Sequence, residues 1–475
     1  MLQYIDSCKD SSIFAQKQFR MMKKTIFFAL LFICFGQWSM AQKIPFIIKA
    51  SVYGGYIVPM TKNLDSIAHP PALGGELAIE FPSMGNYDWQ HHWRMPTVGV
   101  GLLGINLGNP KLLGTAFAVY PYLLVPVVKT KHFHLNYKIG AGLSFFTKTW
   151  NDGDTLSGVN ASTANSAIGS ILNVYLTTGA NFEFPISKQF SITSDIGYNH
   201  MSNGSMLQPN AGINMLQAMI GAKYLFPGCA HCNKPKPPID GFPYDFSINL
   251  IASGGARELY YKDNKMYPIG SFHASMSANL TNWYALGGGF DVFYDGVFVQ
   301  QGTRGAESYR NNTLFGRYFI PTEDLANKFR AGVCLSNEFI IGRVTAVLQW
   351  GVYVYDPIRN ATHDPHPVYG DNRPMFYSYD IEKEDGWNYF RLGVRCRVYD
   401  NLFVNASLKT HLQKAEMIEW GIGYQIPYTK KQESDGRRGS YAVYHPDRKW
   451  KRGDPNKQWQ PVGVESEDPP FNLGR

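Results

Sequence analysis

The chain has 475 residues, 17% of them charged and 15% aromatic, with 46 glycines and a slightly negative mean hydropathy. Its formal net charge of +8 divides into +3 over residues 1–41, +3 over 430–475 and +2 over the body, so no basic face for nucleic acid is present. After residue 41 no run reaches the roughly 18 apolar residues that a transmembrane helix requires, so a membrane protein built from this chain is a β-barrel.

Lys23 and Lys24 precede an apolar run from Thr25 to Phe35, and Ser39-Met40-Ala41 supplies small residues before Gln42. This pattern predicts a cleaved secretory signal, with translation starting at Met21 or Met22 and residues 1–41 excluded from the fold. Cys34 lies inside the apolar run and lacks a lipoprotein setting. Alternation bounded by Gly, Asn, Asp and Pro predicts about eight strands, near 45–58, 72–82, 93–107, 112–128, 131–149, 167–184, 188–202 and 212–226. Residues 227–242 form a Pro-rich linker containing Cys229 and Cys232, for which a small disulfide loop is favoured over zinc. About eight further strands follow, near 243–261, 267–280, 284–300, 328–341, 343–357, 387–400, 402–411 and 415–428.

Both halves close on a glycine followed by spaced aromatics, Gly221 to Phe226 and Gly421 to Tyr428, in the manner of terminal strands of outer-membrane barrels. The expected fold is all-β: an internal duplication giving two eight-stranded antiparallel barrels in tandem over 42–226 and 243–428, or one larger barrel of about sixteen strands. The linker favours two, since a continuous barrel needs only a short turn there. In the second half, Arg391, Arg395 and Arg397 share the lumenal parity with Asn405, Ser407, Lys409, His411 and Glu419, which predicts an ionic plug rather than a transport path. Residues 301–326 and 358–386 read as long loops, and 429–475 as a flexible tail.

The strand near 188–202 carries the chemistry. Phe190, Ile192, Ile196, Tyr198, His200 and Ser202 fall on one side of the pleat, with Ser191, Thr193, Asp195, Gly197 and Asn199 on the other. A base and a nucleophile thus sit on the lipid-facing side at a barrel rim, where an ester within the bilayer is reachable. A symmetric hairpin between the last two strands of the half places Asn214 opposite His200, Leu216 opposite Tyr198 and Ala218 opposite Ile196, with Cβ atoms roughly 4.5–5.5 Å apart. Asn214 then lies where the third member of a triad belongs. Taken singly, a rim histidine, a Ser-Asn-Gly turn and a Pro-Asn turn are ordinary features of barrels; on one face at one rim they point to an esterase. The small residues of 165–170 read as a wall against which an acyl chain can lie, and Lys148 and Trp150 as interfacial residues.

His200-Met201-Ser202-Asn203-Gly204, followed by Pro209-Asn210 and Gly212, resembles the PagL family of outer-membrane lipid A 3-O-deacylases, including the bacterial acyloxyacyl hydrolases. The resemblance covers the first half, most sharply residues 190–226, and is not found in the second. It implies a serine esterase site on the outer face of an eight-stranded barrel, with Ser202 as nucleophile and His200 as base. It also implies Asn203 and Asn210, with the Gly204 backbone N–H, as oxyanion donors. The family pattern has an acidic residue on the last strand where this chain has Asn214, whose amide oxygen can fix the histidine tautomer without supplying charge. The implied partner is lipid A within lipopolysaccharide and outer-membrane lipid, with no nucleic acid and no metal or nucleotide cofactor; a homodimer is left open. The competing readings are a structural or adhesion barrel that keeps a relic site, and a small transporter.

Overall fold

The computed structural model describes residues 44–150, 165–227, 245–258, 265–297, 325–357, 387–411 and 414–428. The predicted leader, the Cys229/Cys232 loop, the tail and nearly all of both long loops fall outside these residues. The chain forms two separate closed barrels of eight strands each, which excludes the single larger barrel. The first comprises β1 (Phe46–Val58), β2 (Ala72–Pro82), β3 (Thr97–Asn106), β4 (Thr115–Lys129), β5 (His134–Phe146), β6 (Leu172–Pro185), β7 (Phe190–Ser202) and β8 (Ile213–Phe226). The second comprises β9 (Phe246–Glu258), β10 (Met266–Thr281), β11 (Tyr284–Asp295), β12 (Phe329–Ile341), β13 (Val344–Tyr355), β14 (Asn388–Tyr399), β15 (Leu402–His411) and β16 (Lys414–Tyr428).

Every neighbouring pair is antiparallel, and each barrel closes by its first strand pairing with its last, β1 with β8 and β9 with β16. Closure is required in hydrocarbon, where an open edge leaves backbone N–H and C=O groups without water. The glycine-aromatic segments at 219–226 and 420–428 are these closing strands; Phe46 stacks on Phe226 across the first seam with ring centroids 4.7 Å apart.

Alternation sorts each strand into two environments. On β1 the even positions Ile48, Val52 and Tyr56 are exposed on the outer wall, while Lys49, Ser51, Tyr53 and Ile57 are buried inside. The first lumen holds an ionic cluster beside a buried set that includes Tyr53, Ile57, Met201 and Met215. Lys49 Nζ lies 3.0 Å from Glu76 Oε1 and 2.6 Å from Asp195 Oδ2, and Lys138 Nζ lies 3.5 Å from Glu76 Oε2. Tyr120 donates to Glu76, and Lys223 bridges Glu80 and Glu183 at 3.0 Å each. The second lumen is similarly occupied: Arg391 pairs with Asp291 at 2.7 Å and with Glu419, Arg395 with Glu338 at 3.0 Å, and Lys409 with Glu416 at 2.6 Å. His411 faces this lumen, its Nε2 2.9 Å from the Tyr353 hydroxyl, so it takes no part in an outer-face site. Desolvated charges survive inside because each lies within ion-pair distance of an opposite one.

Two strands begin four or five residues later than their alternation suggests. Residues 88–92 form a short helix, followed by Arg94 and Met95 with positive φ, which delays β3 to Thr97. Residues 165–171 are held by the loop that follows β7, which delays β6 to Leu172.

Candidate active site

β7 and β8 pair with His200 opposite Asn214, Tyr198 opposite Leu216 and Ile196 opposite Ala218, the register of the symmetric hairpin. The outer-face parity brings His200, Ser202 and Asn214 together at the rim. Their polar atoms form a continuous line: His200 Nε2 is 2.8 Å from Ser202 Oγ, and His200 Nδ1 is 2.7 Å from Asn214 Oδ1. Ser202 and Asn214 are only 5% and 6% exposed although their strands face lipid; the loop that follows β7 returns so that Gly212 lies against His200 and Ser202, and the segment 165–171 holds that loop. Asp195 points into the lumen against Lys49, which removes it as a partner for His200.

Tyr198 completes the line, although alternation by itself assigns it no role. Its hydroxyl donates to Asn214 Oδ1 at 2.5 Å. The signal lies in the hairpin register, since Tyr198 and Asn214 share the outer parity and are diagonal neighbours, within reach of a long aromatic side chain. With Oδ1 accepting from Tyr198, the amide oxygen faces His200 and accepts from Nδ1–H. The Nε2 lone pair is then free to accept the Ser202 hydroxyl proton.

The expected oxyanion donors are placed unequally. Asn203 uses its donors within the loop: its backbone N–H reaches Asn210 Oδ1 at 3.0 Å, and its Nδ2 reaches Ser170 Oγ at 3.0 Å and the Leu207 carbonyl at 2.9 Å. Asn210 Nδ2 and the Gly204 N–H make no hydrogen bond among the described residues. Gly204 adopts φ 61° and Gly212 φ 74°, left-handed conformations that glycine enters without penalty. At Gly212 a side chain is excluded twice, because a Cβ there would also stand 2.9 Å from His200 Cε1.

Residues 165–170 brace this loop. The N–H groups of Ala211 and Gly212 donate to the Ser166 and Ala167 carbonyls at 3.2 and 2.9 Å, and a Cβ on Gly169 would come within 2.6 Å of the Pro209 carbonyl oxygen. Small residues are needed there for backbone approach, which periodicity alone does not reveal. Trp150 likewise is buried, its backbone N–H donating to the Ile168 carbonyl at 2.7 Å, rather than sitting in an interfacial girdle.

With this geometry in place, comparison with known families decides the classification. Residues 73–223 match the model of the lipid A 3-O-deacylase family, PagL. The first half of the chain is a PagL-family domain. Residues 246–370 and 375–429 match the model of the acyloxyacyl hydrolase C-terminal domain, so the second half, whose sequence shows no resemblance to the deacylase motif, has a family match of its own. Among solved structures the chain is similar to the outer-membrane enzyme PagL, at 15% identity over 36% of this chain and 97% of that one, with a TM-score of 0.24. It is also similar to Neisserial surface protein A (9% identity, 38% and 97% covered, TM-score 0.26) and to Ail of Yersinia pestis (13%, 39% and 99%, 0.23). No curated protein matches the chain. The protein is an integral outer-membrane β-barrel with a lipid A deacylase-like domain and the character of a hydrolase.

Proposed function

We propose that this protein is an outer-membrane serine esterase that removes an ester-linked acyl chain from lipid A. The observation that carries the reading is the line from Asn214 through His200 to Ser202 on the lipid side of a PagL-family barrel, at the rim where a lipid ester arrives laterally. In this mechanism Ser202 Oγ attacks the ester carbonyl while His200 Nε2 takes its proton. The tetrahedral oxyanion accepts hydrogen bonds from Asn210 Nδ2 and the Gly204 N–H, and Asn203 holds the loop that presents them. His200 then returns the proton to the leaving sugar hydroxyl, and water repeats the sequence on the acyl-enzyme. Asn214, assisted by Tyr198, keeps the proton on Nδ1 so that Nε2 stays a base.

The test is mass spectrometry of lipid A from cells expressing wild-type protein or Ser202→Ala at matched outer-membrane levels. One acyl chain is expected to be lost with wild type and retained with the variant. Unchanged lipid A in both, with the barrels folded, would sink the reading and leave a non-enzymatic barrel. Tyr198→Phe removes one of the two hydrogen bonds that orient Asn214, a loss of about 1 kcal/mol. It is expected to lower kcat roughly fivefold to tenfold with KM unchanged, as measured on a soluble ester substrate.

A further inference from the structure

The second barrel meets the first at the loop that carries the candidate oxyanion donors. Glu258 ends β9 at a position of outward parity, in register with the lipid-facing Phe246, Ile248 and Leu250, yet it is only 7% exposed. A carboxylate on the apolar side of a barrel wall needs a strong reason to be buried. Here it accepts the Gln208 backbone N–H at 2.8 Å through Oε2, while the Glu258 N–H donates to the Met206 carbonyl at 2.9 Å. Ile418 has the same outward parity as Trp420 and Ile422, which are 60% and 61% exposed, but is itself 9% exposed. It lies with Leu408 against Gly204, where a Cβ would stand 2.3 Å from Ile418 Cδ1 and 3.2 Å from Leu408 Cδ1. The loop from Asn203 to Gly212 is therefore clamped between the 165–170 brace of its own barrel and the outer wall of the other.

We propose that the second barrel is a positioning element for the esterase site, and that Glu258 acts through Gln208 to hold the 203–212 loop in the conformation that aims its donors at the oxyanion. This inference rests on the esterase reading. Glu258 touches no reacting atom; it fixes backbone between Asn203 and Asn210, and catalysis by hydrogen-bond donors is steep in their placement. The side-chain oxygen of glutamine can accept the same N–H, whereas alanine cannot.

The experiment compares wild type, Glu258→Ala and Glu258→Gln in the full-length protein, folded in detergent and monitored by heat-modifiable gel mobility. Amide hydrogen exchange over residues 203–212 and kcat and KM on a soluble ester are both read. Glu258→Ala is expected to speed exchange across the loop at least tenfold and to lower kcat by about 10²-fold with KM within twofold. Glu258→Gln is expected to restore most of both. Exchange and kcat unchanged in Glu258→Ala would overturn the inference and leave the esterase reading standing. Proportionate loss in the alanine and glutamine variants would also overturn it, since the accepted hydrogen bond would then not be what positions the loop. Failure of the parent reading shows differently, as wild type without Ser202-dependent hydrolysis, and removes the positioning role with it.

Discussion

Asn214→Leu is expected to lower kcat by about 10³–10⁴-fold while KM changes little, as measured by ester hydrolysis with the folded protein. Leucine matches the amide in shape but accepts no hydrogen bond, so the Nδ1–H of His200 loses the partner now at 2.7 Å and the Tyr198 hydroxyl loses its acceptor. The ring is then free to turn or to move its proton to Nε2, where it can no longer take one from Ser202. Asn214→Asp separates orientation from charge. A carboxylate accepts from both Tyr198 and His200 in either flip, and it adds the negative charge that the family pattern carries and this chain lacks. That variant is expected to match or exceed wild-type kcat, because imidazolium formed during attack is stabilised rather than merely oriented. A Leu variant within threefold of wild type would mean that some other group orients His200. An inactive Asp variant would mean that the amide N–H, not the oxygen, is what the site uses.

Lys49→Met is expected to destabilise the first barrel by about 3–5 kcal/mol in urea unfolding from lipid or detergent. Lys49 is 1% exposed and lies between Glu76 and Asp195, so a methionine of similar length leaves two buried carboxylates with Lys138 as their remaining ion-pair partner. Breaking one side of a desolvated ion pair costs more than replacing both sides, since the remaining charge keeps its desolvation penalty. The triple variant Lys49→Met, Glu76→Gln, Asp195→Asn is therefore expected to recover much of the loss. A single variant within about 0.5 kcal/mol of wild type would show that water reaches the lumen and screens these charges. The same packing argument bears on transport: in both lumens side chains from non-adjacent strands meet in direct ion pairs, which is the arrangement of a plug.

Much of this architecture is legible in the amino-acid order because a barrel wall has two environments and a period of two. Parity alone separates Ile48 and Val52 from Lys49 and Ser51, puts Arg391 and Arg395 inside, turns His411 away from lipid, and sets His200 and Ser202 on the outer face. Register follows from the same rule, because a slip of one residue would move Phe190, Ile192, Ile196 and Tyr198 of β7 into the lumen. The opposition of His200 and Asn214 is therefore readable from alternation and a symmetric turn, as is the closing of two barrels from the two glycine-aromatic strands.

Tertiary structure decided what lies beyond the period. The loop from Asn203 to Gly212 has no alternation, and its side chains choose among several partners within hydrogen-bonding reach. Only the folded chain shows that Asn203 bonds Ser170 and Leu207 while Asn210 Nδ2 stays uncommitted. The brace at 165–170 depends on backbone meeting backbone, which leaves no pattern except small residues. The seat of that loop on Glu258, Leu408 and Ile418 joins positions far apart in the chain across two closed sheets. Strand pairing is encoded locally by the environment each face meets, whereas a contact between two finished barrels depends on shapes that exist only after both have closed.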